Sequence, residues 1–205
     1  EVEAMVKQAV DKWGRVDILV NNAGILRDKS FAKGSLDDFK LVVDVHLMGT
    51  VNCTKACWDI MREQNYGRVV VTTSSSGLYG NFGQTNYAAA KAGLMGMMYT
   101  AVKELERYNV RCNAMWPIAR TDMTQPLIDK AGKTAAELGF GEPEDVAKGL
   151  VWLASDAAAD FNGQCITFNA YKTALWHSPS EDHIKQCVEP MTLEELDAHY
   201  EAVVP

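Results

Sequence analysis

Tyr87 and Lys91 stand four residues apart at the end of the stretch SSSGLYGNFGQTNYAAAK, which runs from Ser74 to Lys91. The alanines around them favour a helix. Side chains at i and i+4 share one helix face, so the phenol and the ammonium can address one point. A phenol with a pKa of roughly 10 exchanges protons poorly at neutral pH. Bringing it near 7 takes about 4 kcal/mol of phenolate stabilisation. One positive charge about 4 Å away, at an effective dielectric near 20, supplies about that much. The pair is therefore an acid–base device, provided that its site is partly desolvated. Ser74, thirteen residues before Tyr87, can donate to a substrate carbonyl or alkoxide while the phenol moves the proton. Ser75 and Ser76 are its neighbours, so its selection rests on spacing. Without chemistry, the same stretch reads as a polar strand exit followed by an Ala-rich packing helix.

The elements around these residues decide whether they can meet. Val69–Thr73 is an apolar run that reads as a buried parallel strand, Gly77–Asn86 as a loop, and Tyr87–Tyr108 as a helix. A hydroxyl at the carboxyl end of such a strand sits where open α/β sheets bind ligands. Upstream, Val2–Trp13 has helical periodicity and stops at Gly14, and Val16–Asn21 is a short β-rich run. Ser35 can cap one long helix from Leu36 to about Arg62, with Asp37 and Asp38 in its first turn. Downstream, VRCNAM is a strand broken by Pro117. A loop with Thr121 leads to a short helix near Pro126–Leu138, Pro143 opens a helix through Ala154, and QCITF is a last strand. Alternating strands and helices indicate an α/β fold with a parallel sheet covered on both faces. Residues 1–169 form this body, and residues 170–205 an acidic extension, partly helical, with Thr192 and Glu195 as a capping box.

Composition narrows the function classes. The 205 residues are 47% hydrophobic and 23% charged, as in ordinary globular proteins, and contain no run of membrane-span length or signal peptide. Net charge is −7, of which −6 falls in Glu181–Pro205, so neither part attracts nucleic acid. Cys53, Cys57, Cys112, Cys165 and Cys187 lack zinc-type spacing, and His177, His183 and His199 are scattered, so no metal site is expected. Reduced thiols point to an intracellular compartment.

Taken in order, the motifs resemble the short-chain dehydrogenase/reductase family from Glu1 to about Phe168. NNAG at Asn21–Gly24, the set Ser74, Tyr87 and Lys91, CNAMWPIARTDM and EPEDVAKGLVWLASDAAADFNGQCITF carry the resemblance. It implies a Rossmann-like doubly wound sheet and hydride transfer between a nicotinamide cofactor and a carbinol or carbonyl carbon. Within the family, NNAGILRDKSF, YGRVVVTTSSSGLYGNFGQTNYAAAK and His46 in VHLMGT are similar to the (3R)-hydroxyacyl-CoA dehydrogenase part of peroxisomal multifunctional enzymes and their bacterial relatives. The resemblance implies Ser74, Tyr87, Lys91 and His46 as catalytic residues. It implies Asn21, Ala23, Gly24, Tyr87, Lys91, Pro117, Ile118 and Thr121 as cofactor contacts. His46 stands where most of the family has asparagine, Ile118 where many have glycine, and Asn169-Ala170-Tyr171 where a Gly-Gly is usual. His46 is open to two readings, a member of the proton relay or a helix histidine bonded for structure. NAD is the implied cofactor, with NADP as the alternative. An acyl-CoA substrate, a homo-oligomer or pairing with an intact relative, and a peroxisomal (eukaryotic) or cytoplasmic (bacterial) setting are implied as well.

Dinucleotide binding also needs a glycine-rich turn after a first strand and a ribose-reading residue on the next. Neither precedes VDILVNNAG, so the sheet is expected to lack its first three strands and Val16–Asn21 to lie at its edge. Two classes of function follow. One is a hydroxyacyl-CoA dehydrogenase, or a related 3-oxoacyl carrier-protein or carbonyl reductase, seen as an incomplete chain. The other is a non-catalytic subunit that pairs with an intact relative.

Overall fold

The computed structural model describes residues 1–177, 179–180, 184 and 190–203. His183 and Cys187 lie outside the described residues. The chain opens with helix α1 (Val2–Trp13), closed by Gly14 in the left-handed conformation, and strand β1 (Ile18–Asn21). Helix α2 (Leu36–Val43) is capped by Ser35, whose hydroxyl accepts from the Asp38 N–H at 3.0 Å. The expected long helix does continue to Gln64, but through a π turn at Asp44–Met48 before helix α3 (Gly49–Gln64).

Strand β2 (Gly67–Thr72), the short helix α4 (Ser75–Tyr79) and helix α5 (Thr85–Leu105) follow. Ser74, at the strand exit as expected, also caps α4, which takes up the first residues of the stretch Gly77–Asn86 expected as a loop, and its hydroxyl accepts from the Ser76 N–H at 3.3 Å. Strand β3 (Val110–Pro117) keeps Pro117 as its last residue, where a missing N–H is tolerated. Helices α6 (Gln125–Ala131) and α7 (Pro143–Ala154) lead to strand β4 (Cys165–Phe168).

The sheet runs in the order β1-β2-β3-β4-β5. The first four strands are parallel, and β5 (Thr173–Trp176) pairs antiparallel with β4. That last strand was not expected. It falls in the acidic extension, and the tight turn at Asn169 makes it possible: the Asn169 carboxamide oxygen accepts from the Tyr171 N–H, and the Asn169 N–H donates to the Lys172 carbonyl. Helix α8 (Leu193–Val203) has the expected capping box, with the Thr192 N–H donating to Glu195 Oε2 at 2.8 Å and the Glu195 N–H to Thr192 Oγ1 at 3.2 Å.

Period-2 alternation divides the core between the two faces. Val69 and Val71 of β2, Cys112 and Ala114 of β3, and Cys165 of β4 pack with Leu94, Met98 and Leu105 of α5 and with Cys57 and Met61 of α3. Val70, Met115 and Ile166 face the other way, toward Val146 and Leu153 of α7. All six residues of β2 are buried, as a central parallel strand requires. At the edge, Leu19 packs on the α5 side, whereas Ile18 and Val20 point to the opposite side and are 49% and 37% exposed. No helix among the described residues is long and apolar enough to cross a membrane.

Candidate active site

Three parallel strands deliver the expected residues to one edge of the sheet. Asn21 ends β1 and is buried, donating to Thr54 Oγ1 at 3.3 Å, and Ala23 and Gly24 follow in the exit loop. Thr72 ends β2, two residues before Ser74. Pro117 ends β3, and the Ile118 N–H donates to the Phe168 carbonyl at 2.9 Å. Thr121 is exposed in the next turn, its N–H donating to Thr124 Oγ1 at 2.8 Å. Carboxyl ends of parallel strands are where such sheets bind ligands.

Helix α5 brings Tyr87 and Lys91 to this edge one turn apart, as their spacing requires. Their electrostatics differ from the sequence expectation. Burial raises the Tyr87 pKa above its ordinary value, a hydrogen bond with Ser74 lowers it in part, and the Asp28 carboxylate raises it further. The Lys91 ammonium donates to the Thr72 carbonyl and lies 5.5 Å from the centre of the Tyr87 ring. Its one hydrogen bond among the described residues goes to that backbone oxygen, and burial holds the phenol above its ordinary value rather than near 7. Burial pushes Lys91 itself down to about 8.

His46 sits in the π turn. There the Gly49 N–H bonds to the Asp44 carbonyl, five residues back, and Thr50 Oγ1 donates to the His46 carbonyl at 2.8 Å. The wide turn swings the imidazole inward, where it is 2% exposed and edge-on to the Tyr87 ring at 5.0 Å. Nε2 lies 2.8 Å from the Ile25 carbonyl and 3.0 Å from its N–H, and it serves one of them according to tautomer. Nδ1 is buried with no hydrogen-bond partner among the described residues. Burial first, then the Lys91 charge, lower the His46 pKa, which favours neutral imidazole. Gly24 makes room for the ring: a Cβ there would lie 2.3 Å from His46 Cε1. Apolar spacing carries no signal of the π turn, so sequence periodicity misses it. Thr50 four residues after His46 is the one local hint, since a hydroxyl can take up the carbonyl that the turn releases.

A nicotinamide dinucleotide can be tested against these groups. Lys91 has three N–H donors and one carbonyl partner among the described residues, which leaves donors for a ribose diol. The residues fit the nicotinamide end. Ahead of β1 the described residues hold α1 and one glycine, Gly14, and no glycine-rich turn of the kind that cradles a diphosphate. Among the described residues no cluster of three or more His, Cys, Asp or Glu side chains could hold a metal ion, and Cys53, Cys57, Cys112 and Cys165 are free thiols.

Comparison with known proteins fixes the class. The family model for short chain dehydrogenases matches residues 1–132, and the chain belongs to that family. The chain is 38% identical over 202 residues to the peroxisomal multifunctional enzyme type 2 of Mus musculus, covering 98% of this chain and 27% of that enzyme. It is 44% identical over 171 residues to a 3-oxoacyl-(acyl-carrier-protein) reductase of Thermotoga maritima, covering 81% of this chain and 70% of that one. The fold superimposes on a short chain dehydrogenase from Mycobacterium avium with a TM-score of 0.82 at 31% identity, covering 99% of this chain and 69% of that one. The chain therefore spans about a quarter of the mouse enzyme.

Proposed function

We propose that this chain carries the catalytic half of a (3R)-hydroxyacyl-CoA dehydrogenase, interconverting a 3-hydroxyacyl and a 3-ketoacyl thioester. The observation that supports it is the convergence of Ser74, Tyr87, Lys91 and His46 at the carboxyl edge of the parallel strands. When bound, the nicotinamide cofactor supplies or accepts the hydride. Asn21, Ala23 and Gly24 would hold its nicotinamide half from one side, Pro117, Ile118 and Thr121 from another, and Lys91 would hold the ribose. NAD is the expected form, with NADP as the alternative.

Tyr87 is the acid–base group. Its raised pKa keeps the phenol protonated, ready to donate to a substrate oxygen during reduction. Ser74 donates to that same oxygen and orients it. Lys91 contributes its charge to the proton path behind Tyr87. The neutral His46 ring props the phenol from its edge, and its unpartnered Nδ1 is the candidate next station for the proton.

The acyl-CoA substrate rests on the likeness to multifunctional enzyme type 2, and the same likeness suggests a peroxisomal setting if the organism is eukaryotic. The Thermotoga relative supports a second reading, a 3-oxoacyl carrier-protein reductase. A substrate panel of acyl-CoA, carrier-protein and steroid compounds, given to the complete enzyme, separates them. Inactivity on every acyl thioester refutes both. We further infer that the adenosine half of the cofactor site comes from sequence ahead of this chain or from an intact relative. Calorimetric titration with NADH should show no binding to the 205-residue chain and micromolar binding to an N-terminally extended one. Failure of both to bind would favour a non-catalytic subunit. Homo-oligomerisation through α2, α3 and α5 agrees with the exposure of Leu36, Leu41 and Met48, and a monomer by light scattering at micromolar concentration would oppose it.

A further inference from the structure

We propose that Asp28 and Gln84 are positioning residues, a clasp that joins the loop after β1 to the loop before α5 and so fixes Ser74 and Tyr87; this rests on the acid–base reading above. The Gln84 carboxamide is the hub. Its Nε2 donates to Asp28 Oδ2 at 2.7 Å, and its Oε1 accepts from Ser76 Oγ at 2.7 Å and from Asn81 Nδ2 at 3.0 Å. Ser76 passes the constraint on, because its N–H donates to Ser74 Oγ at 3.3 Å. A continuous hydrogen-bonded path therefore runs from the Asp28 carboxylate to the Ser74 hydroxyl.

Two further ties close the same seam. The Lys29 N–H donates to the Gly83 carbonyl at 2.9 Å, and Asn86 Nδ2 donates to the Arg27 carbonyl at 3.1 Å. Asn86 is buried and its Oδ1 accepts from the Tyr87 N–H at 2.7 Å, so the seam ends on the backbone of the catalytic tyrosine. A carboxamide suits position 84 because two separate atoms meet the partners, an oxygen that accepts twice and a nitrogen that donates to a carboxylate, whereas a hydroxyl has one oxygen on a shorter stem. A carboxylate there would face Asp28 with like charge. A hydroxyl or thioether would leave Asp28 or Ser76 without its partner.

Asp28 also adds charge. Tyr87 is faced by Lys91 on its own helix, by His46 from the π turn, and by Ser74 and Asp28 from the two clasped loops; Asp28 is the carboxylate of this set. The clasp and the charge are separable by substitution. Asp28→Asn keeps an acceptor for Gln84 and removes the charge, whereas Asp28→Ala removes both.

The test uses the full-length enzyme, read by turnover across pH and by amide exchange at Lys29. Gln84→Ala is expected to lower kcat at least tenfold with a smaller change in KM, and to speed Lys29 exchange at least tenfold. Asp28→Asn should keep kcat within threefold and Lys29 exchange unchanged, while its basic limb moves to lower pH. Asp28→Ala should resemble Gln84→Ala. Unchanged kcat and exchange in a folded Gln84→Ala, or a loss in Asp28→Asn as large as in Asp28→Ala, overturns the clasp. If the wild type turns over no thioester or carbonyl substrate, the functional reading fails, and the Lys29 exchange still decides whether the clasp exists.

Discussion

Two cations are buried at opposite ends of β2, and the fold treats them differently. Arg68, the second residue of the strand, gives its guanidinium to the Gly67 carbonyl at 2.9 Å, the Asn109 carbonyl at 3.1 Å and the Asp156 carboxylate at 3.1 Å, and it lies over the Tyr66 ring. Lys91, at the other end, has the Thr72 carbonyl and, among the described residues, no ion pair. A cation paired with a carboxylate, as Arg68 is even though its Nε is buried without a partner among the described residues, has little charge left for a ligand. One that is held short of partners carries its desolvation cost into the folded state and recovers part of it by meeting something else. By that measure Arg68 is architecture and Lys91 is equipment.

Changes at the tyrosine that Lys91 serves should have the largest effect. Tyr87→Phe is expected to cut turnover of the complete enzyme by 10²-fold or more, the usual scale for losing a general acid–base group, with fold and cofactor affinity kept. Retention of more than a tenth of wild-type turnover in a folded variant would remove Tyr87 from that role. Next comes Arg68→Met, which strands two backbone carbonyls and should destabilise the chain by about 2 kcal/mol in denaturant unfolding. The figure is held down because Asp156 is largely exposed and its attraction is screened.

Lys91→Met should act with the opposite sign. Moving a lysine from 10.5 to about 8 costs the fold roughly 3 kcal/mol at neutral pH. Loss of the donor to Thr72 returns about 1–2 kcal/mol of that. The net expectation is a gain of about 1–2 kcal/mol in stability and loss of activity. The pH dependence fixes the cause. Because the folded pKa lies below the unfolded one, the penalty is complete below about pH 8 and disappears as pH rises to 10.5. The stability gap between wild type and variant should therefore shrink across that window, and a gap independent of pH would assign it to packing.

The smallest energetic effect is expected at the open edge. Val20→Thr on β1 should change stability by under about 0.5 kcal/mol, yet reduce self-association of the 205-residue chain seen by light scattering. Ile18 and Val20 leave apolar surface on a strand that, among the described residues, pairs with β2 on one side only, a common route to edge pairing. Strong amide protection of Ile18–Val20 in a proven monomer would show that the edge is covered.

Much of this molecule is legible from residue order alone. Gly14, Ser35, Pro143 and the Thr192–Glu195 box mark helix ends where the structure has them, because capping is local chemistry. The approach of Tyr87 to Lys91 follows from helical spacing. The direction of the Lys91 ammonium does not, since it depends on a carbonyl nineteen residues away in sequence. Strand β5 was unreadable for another reason. Four residues of half-exposed pattern carry little periodic signal, and their pairing depends on the Asn169 turn and on the Trp176 indole N–H donating to Thr167 Oγ1 at 2.6 Å. The Asp28–Gln84 contact spans fifty-six residues and involves two unremarkable polar side chains.

The π turn at Asp44–Met48 also changes how this helix must be counted. A five-residue hydrogen-bonded turn holds one residue more than an α turn, so α2 and α3 are parts of one rod set out of phase by about 100°. That offset brings Val42 and Thr54, both buried, to within about 20° of one face, where an unbroken α-helix would set them about 120° apart. Seen as heredity, it has the form of a single-codon insertion hidden inside a helix. Removing one residue between 44 and 48 should restore an unbroken helix while turning His46 off the tyrosine. A pairwise alignment that places its gap in the nearby loop instead would then misnumber every residue between the loop and the turn by one.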